Sequence, residues 1–188
     1  MNNKGKILAV ASPSGGGKTT IVRRVLKKFP ELVFSVSATT RPKRANEIHG
    51  VDYFFISEDE FKVHIDNNDF VEWERFYDYY YGTFKSFITD NISQGRYVLL
   101  EVDVKGALTL KDIYPDSYLI FINPPSLEEL INRLKIRNTE SPEDFQKRID
   151  RAKMELSLKE KFDFIVENKD LEIATAEVIS LISKIIKE

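Results

Sequence analysis

The apolar run Ile7-Leu8-Ala9-Val10 leads through Ala11 into Ser12-Pro13-Ser14-Gly15-Gly16-Gly17-Lys18-Thr19-Thr20, and this into the helical pattern Val22, Val25, Leu26, Phe29. A buried strand that ends in a glycine-rich turn opening directly into a helix has the order of a phosphate-binding loop. The glycines permit positive φ and let backbone N–H groups close on phosphate oxygens where a Cβ would obstruct. The helix N-terminus adds its positive dipole end at the same spot. In this pattern Lys18 is expected to reach the β- and γ-phosphates of a nucleoside triphosphate, and the Thr19 hydroxyl to ligand a magnesium ion. Ser12 replaces the first glycine of the G-x-x-x-x-G-K-[ST] spacing, a mild change because serine is small.

The apolar runs Lys6 to Val10, Tyr97 to Val102, Tyr118 to Ile122 and Asp163 to Val166 are bounded by turn or charge signals and separated by helical patterns. That alternation predicts an α/β fold, a P-loop NTPase-type three-layer core with a mainly parallel sheet and ligands at the carboxyl ends of its strands. Between Phe34 and Phe84 the texture turns short, alternating and aromatic. Ser35 to Thr40 and Val51 to Ile56 read there as strands of a small, partly separate sheet. Ser57 with Glu60 forms a capping box ahead of Phe61 and Ile65, and Ser126 with Glu129 forms another ahead of the stripe Leu127, Leu130, Ile131, Leu134. Ser141-Pro142 starts a further helix with Phe145, Ile149, Ala152 and Leu156 inward, and an amphipathic helix runs from about Leu171 to Ile186.

Composition narrows the functional classes. The chain of 188 residues, 42% hydrophobic and 31% charged, reads as one domain with its own core. No apolar stretch approaches the about 20 residues that span a bilayer, and no signal segment precedes the first strand, so a cytoplasmic setting without membrane partners is expected. Cysteine is absent and the two histidines lie far apart, which excludes disulfides and thiolate chemistry and argues against a histidine metal cluster. A formal charge of −2 gives no general attraction for nucleic acid. Arg23, Arg24, Lys27 and Lys28 read as the solvated face of the first helix, whereas Arg41-Pro42-Lys43-Arg44 lies outside any helical period and invites a binding role.

The order of motifs resembles the guanylate kinase family over nearly the whole chain. The resemblance rests on Ser12 to Thr19; on Ser35-Val36-Ser37-Ala38-Thr39-Thr40-Arg41 with Arg44, Glu47, Gly50 and Asp52-Tyr53-Phe54-Phe55; and on Phe70-Val71-Glu72-Trp73. It continues through Tyr80-Tyr81-Gly82-Thr83, Leu100-Glu101-Val102-Asp103-Val104-Lys105-Gly106, Pro124-Pro125-Ser126 and the arginines Arg133, Arg137, Arg148 and Arg151. The resemblance implies transfer of the ATP γ-phosphoryl group to GMP, and also dGMP, by a monomer or homodimer that uses Mg2+. It also implies a core at about 1–34, 84–125 and 157–188, a mixed α/β GMP-binding region at about 35–83 and a helical lid at about 126–156. Such a modular chain is expected to close on binding and exclude water.

Residue by residue, the resemblance assigns ATP to Ser12, Pro13, Ser14, Gly15, Gly16, Gly17, Lys18, Thr19 and Thr20, with Asn168 near the adenine. The acceptor phosphate falls to Arg41, Arg44, Tyr53 and Tyr81, whose guanidinium forks and phenols suit a dianion. Glu72 is to accept from guanine N1–H and N2, a donor pair that adenine lacks, with Ser37 and Thr83 meeting the base. Val71 and Trp73 imply that Glu72 alternates out of a packed face. Glu101 and Asp103 form an acidic pair at the site centre, their roles left open among magnesium waters, arginine positioning and the guanine amino group. Lys18, Arg133, Arg137 and Arg148 are to stabilise the phosphoryl group in transfer. Two positions depart from the family pattern: Lys105 stands for a glutamine and could alter the electrostatics near Asp103, while Asn138 stands for a glycine in the lid turn. An inactive binding module of the same fold, or a kinase for another phosphate-bearing acceptor, stays as an alternative.

Overall fold

The computed structural model describes residues 5–76, 78–137 and 142–187, with the side chains of 136, 137 and 142–144 outside that description. Strand β1 (Ile7–Ala11) is central to a five-stranded sheet because its side chains are apolar on both faces. Ile7, Ala9 and Ala11 enter one core cluster and Leu8 and Val10 the other. Full burial of a side chain such as Leu8 contributes roughly 1.5–3 kcal/mol.

Helix α1 (Lys18–Lys28) and, from the chain's end, Leu171–Lys187 cover one face of this sheet through Ile21, Val22, Val25, Ala174, Val178 and Ile182. The opposite face is covered by Ile88, Val104, Ala107 and Leu110. Three layers result. Strand β2 (Val33–Ser35) forms one edge of the sheet.

The chain then changes sheets. Strands β3 (Ala38–Thr39), β4 (Phe54–Phe55), β5 (Phe70–Phe76) and β6 (Tyr79–Phe84) form a second, mixed sheet in the order β4-β3-β6-β5. Helix α2 (Glu58–Asp66) packs on it, with Phe61 stacked on Phe70 at a centroid separation of 4.5 Å. Helix α3 (Lys85–Ser93) returns the chain to the first sheet. There β7 (Val98–Val102) lies between β2 and β1, and helix α4 (Val104–Ile113) follows it. Strand β8 (Tyr118–Asn123), helices α5 (Leu127–Arg137) and α6 (Pro142–Ser157), strand β9 (Phe164–Glu167) and helix α7 (Leu171–Lys187) complete the order. All strand pairings in the five-stranded sheet are parallel.

Several expectations need correction. Ser35 to Thr40 is not one strand: Ser35 pairs with Leu100 in the first sheet, while Ala38 pairs with Gly82 and Phe54 in the second. Val51 to Ile56 shortens to Phe54–Phe55, because Gly50 has φ +76° and the Asp52 carboxylate accepts from the Ile48 backbone N–H at 2.8 Å, which winds the chain into a turn. The Ser57–Glu60 capping box forms in full. At the other box, the Glu129 N–H donates to Ser126 Oγ at 3.0 Å, but the Glu129 carboxylate turns forward to Arg133 Nε at 2.9 Å. Ser141 and Asn138 lie outside the described residues.

Candidate active site

The loop after β1 is shaped by Gly15 and Gly17, both at φ +90°, a conformation that costs a residue with a Cβ. Gly17 is doubly constrained, since a Cβ there would sit 2.5 Å from Asn168 Nδ2. Asn168 donates from Nδ2 to the Gly16 carbonyl at 2.8 Å and is only 4% exposed. It therefore braces the loop from behind, with one amide N–H engaged by the Gly16 carbonyl. Ser12 is buried and donates to the Pro13 carbonyl at 3.1 Å.

At the loop's far end α1 begins with Lys18, whose Nζ lies 3.5 Å from Glu101 Oε1. Thr19 donates to the same carboxylate oxygen at 2.5 Å. Parallel pairing sets Val10 beside Glu101 and Ala11 beside Val102, so both strands deliver these groups at their carboxyl ends. Asp103 caps α4, accepting from the Gly106 N–H at 2.7 Å.

A cleft of about 630 Å³ connects this loop with the second sheet. Ser12 to Thr20, Ser37, Arg44, Tyr53, Glu72, Tyr81, Glu101, Asp103 and Arg148 all line it. Thr83 stands just behind, fully buried, and donates to Glu72 Oε1 at 2.5 Å. The Ser37 hydroxyl is 3.5 Å from that of Thr83. Glu72 and Thr83 are register partners on β5 and β6, beside a bulge between Phe70 and Glu72. The bulge breaks simple alternation: Val71 is buried, but Trp73 is 46% exposed, contrary to the packed face expected for it. Glu72 instead turns inward against α4, where a Cβ at Gly106 would lie 2.7 Å from its Oε2.

Burial pushes the Glu72 carboxyl up to about 7; the Thr83 hydrogen bond opposes this, while the negative charges of Asp103 and Glu74 add to it. Burial likewise raises the Tyr53 phenol, with a further contribution from the Glu101 charge. Tyr53 meets Tyr81 edge to face at 6.1 Å. Arg41 pairs with Glu47 at 2.8 Å and lies over the Tyr53 ring at 5.6 Å. Burial would raise the Glu47 carboxyl, but the Arg41 hydrogen bond and charge pull it below its usual range. The Arg44 backbone N–H also donates to Glu47, while its guanidinium is 72% exposed. One carboxylate thus gathers two of the predicted arginines.

The other predicted arginines divide. Arg148, on α6, lines the cleft, whereas Arg133 pairs along its own helix with Glu129. Arg137 ends α5, and its side chain lies outside the described set. Lys105 is exposed on α4. Sequence reasoning passed over Glu74 and Glu155, and named Arg151 among the arginines of the resemblance without giving it a role. Arg151 and Glu155 line the cleft, and Arg151 pairs with Glu74 and Glu155. Their signals were present: Glu74 is two residues from Glu72 on a strand, and Arg148, Arg151 and Glu155 follow i, i+3, i+7 on a helix.

Comparison with known proteins agrees along the chain. The family model described as Guanylate kinase matches residues 4–185. A guanylate kinase of Thermotoga maritima is 44% identical over 179 residues, covering 95% of this chain and 86% of that protein. One of Salinibacter ruber is 47% identical over 178 residues, covering 94% of each. The crystal structure of a guanylate kinase from Anaplasma phagocytophilum superposes with a TM-score of 0.78 at 31% identity, covering 98% of this chain and 86% of that one.

Proposed function

This chain belongs to the guanylate kinase family, and from that membership we infer that it is an ATP:GMP phosphotransferase that converts ATP and GMP to ADP and GDP. The observation that carries the reading within the molecule is one cleft bounded by the Ser12–Thr20 loop at one end and by Glu72, backed by Thr83, at the other. The loop end suits a triphosphate, through its glycine backbone and Lys18. The opposite end suits guanine, because a carboxylate that accepts from Thr83 keeps lone pairs for two further N–H donors.

In the proposed reaction an oxygen of the GMP phosphate attacks the γ-phosphorus, the bond from γ-phosphorus to the β-bridging oxygen breaks, and ADP departs with that electron pair. No general base is required, because the attacking oxygen is already ionised. The protein's work is alignment and charge stabilisation. Lys18 and Arg148 face the cleft as cations for the transferring group, with Arg137 as a further candidate from α5. Arg44, Tyr53 and Tyr81 hold the acceptor phosphate, and Arg41 orients that group through Glu47 and Tyr53. Arg133 has a lesser claim, since Glu129 engages it.

Magnesium fits the chemistry of the donors. Thr19 and Glu101 present hard oxygens at the loop's mouth. Among the described residues no cluster of three or more His, Cys, Asp or Glu forms a protein cage. Thr19 would be a ligand of the ion, and Glu101 or Asp103 would reach it through water, alongside the nucleotide phosphates. When bound, Mg2+ supplies Lewis-acid stabilisation of phosphate charge. We further propose a cytoplasmic setting and dGMP as a second acceptor. Among the described residues no helix is long and apolar enough to cross a membrane.

A coupled assay with ATP and each of GMP, dGMP, AMP, CMP and UMP tests the reading. Turnover confined to GMP and dGMP is expected. AMP used as well as GMP would remove the role given to Glu72.

A further inference from the structure

Arg151 projects from α6 and meets carboxylates from three parts of the chain. Its Nη1 and Nη2 fork onto Glu74 of β5 at 3.1 and 2.5 Å, and its Nε donates to Glu155 of its own helix at 2.7 Å. Nη2 also lies 3.4 Å from Asp103 Oδ2. The guanidinium covers the Phe76 ring, 4.1 Å from its centroid. A bidentate carboxylate and a flat ring together fix both the position and the rotation of an arginine.

These contacts use Nε and both terminal nitrogens on protein carboxylates. That is the arrangement of a tie between elements. Glu74 shares a strand with Glu72, and α6 also carries Arg148, three residues before Arg151. Asp103 is held at both oxygens, by the Gly106 N–H on one and by Arg151 on the other. Glu155 is buried, with a side chain only 3% exposed, so its charge depends on Arg151 for compensation.

We propose that Arg151 is a positioning residue for phosphoryl transfer: through Glu74 it holds the helix bearing Arg148 in register with the strand bearing Glu72. The proposal rests on the ATP:GMP reading of the cleft and adds to it a mechanical link between its two ends.

The test is a double-variant cycle in the full chain with Arg151→Lys, Glu74→Gln and both together, assayed with ATP and GMP. Lysine keeps the charge but loses the fork. Each single variant is expected to lower kcat about tenfold while either KM moves less than about threefold, because each substrate keeps its own contacts and only their mutual alignment is lost. The double variant should be no worse than the poorer single variant within about twofold, since the same link is broken twice. Multiplying effects would overturn the proposal, as would a rise in the KM for ATP at unchanged kcat with Arg151→Lys, which would make Arg151 a nucleotide contact. Should Arg151→Lys fail to fold, a folded Glu74→Gln with wild-type kcat overturns the proposal by itself. A wild-type chain inactive on GMP sinks the underlying reading and the proposal with it, whereas an active one with an unaffected Glu74→Gln sinks the proposal alone.

Discussion

Thr83 donates its hydroxyl to Glu72 at 2.5 Å from the adjacent antiparallel strand, in register and fully buried. The bond holds one oxygen of a carboxylate whose charge burial disfavours, while the other faces Gly106 of α4; in the proposed site the lone pairs that remain would meet the guanine donors. Glu72→Gln places an amide donor where guanine also presents donors. Leaving such groups unpaired costs about 1–3 kcal/mol each, so kcat/KM for GMP should fall roughly 10- to 100-fold or more. Thr83→Val should raise the KM for GMP by about tenfold through loss of the orienting bond. Steady-state kinetics check both, and an unchanged kcat/KM in Glu72→Gln would refute the contact.

The Glu72 carboxyl, pushed up to about 7 by burial, is expected to titrate as GMP binds. Two guanine N–H donors favour the carboxylate, so binding releases a proton. The KM for GMP should therefore fall as pH rises toward 7 and level off above it, with a slope approaching tenfold per unit below about 6. The phosphate of GMP titrates near about 6 as well, and its share is what persists in Glu72→Gln. An equally steep profile in that variant would assign the effect to the phosphate alone.

The same shift has a stability consequence. A carboxyl raised in the folded state binds more protons folded than unfolded, so its contribution is fully present below its unfolded value and is lost as pH rises through about 7. The ligand-free Glu72→Gln variant should then exceed the wild type in stability at pH 8 by up to about 3 kcal/mol and show no advantage near pH 4. Urea titrations at the two pH values decide it. Loss of the Thr83 bond's charge assistance would reduce the gain without changing its sign.

Lys18 sits at the start of α1 with its Nζ 3.5 Å from Glu101. If it stabilises charge on the transferring group, Lys18→Ala should lower kcat by about 10²–10³. The fold should persist, because the side chain is partly exposed and its carboxylate partner keeps Thr19. Retention of a tenth of the wild-type kcat, in a variant with a wild-type circular dichroism spectrum, would end that assignment.

Ser57 caps α2 with both halves of the box in place. Ser57→Ala should cost about 1 kcal/mol, a Tm loss of about 2–4 °C in a chain of this size. A larger loss of GMP binding than of ATP binding would show that the helix supports the second sheet.

How much was legible in the sequence follows from the range of the interactions involved. The apolar run at β1 needs only its neighbours to be read, because it is buried on both faces, and the loop after it is a contiguous pattern. The motifs from Ser35 to Thr83 likewise sufficed for the family. The division of Ser35 to Thr40 was hidden, since short strands of two different sheets carry the same alternation. Nor did the exposure of Trp73 show, because a bulge reverses facing without a distinct local signal. Arg151 announced its helix face through its spacing from Arg148 and Glu155. Its partner Glu74 lies 77 positions away, and only the folded chain brings the two together.

Only Val36 and Ser37 separate β2, which belongs to the parallel sheet, from β3, which belongs to the mixed one. So short a tether leaves no slack: Ser37 is fixed to the parallel sheet through Ser35, which pairs with Leu100, and to the mixed one through Ala38, which pairs with Gly82. A base seated against Ser37 and Glu72 together would therefore span the junction of the two sheets and an outermost strand of the mixed one, so its fit would report how the two sheets are set against each other.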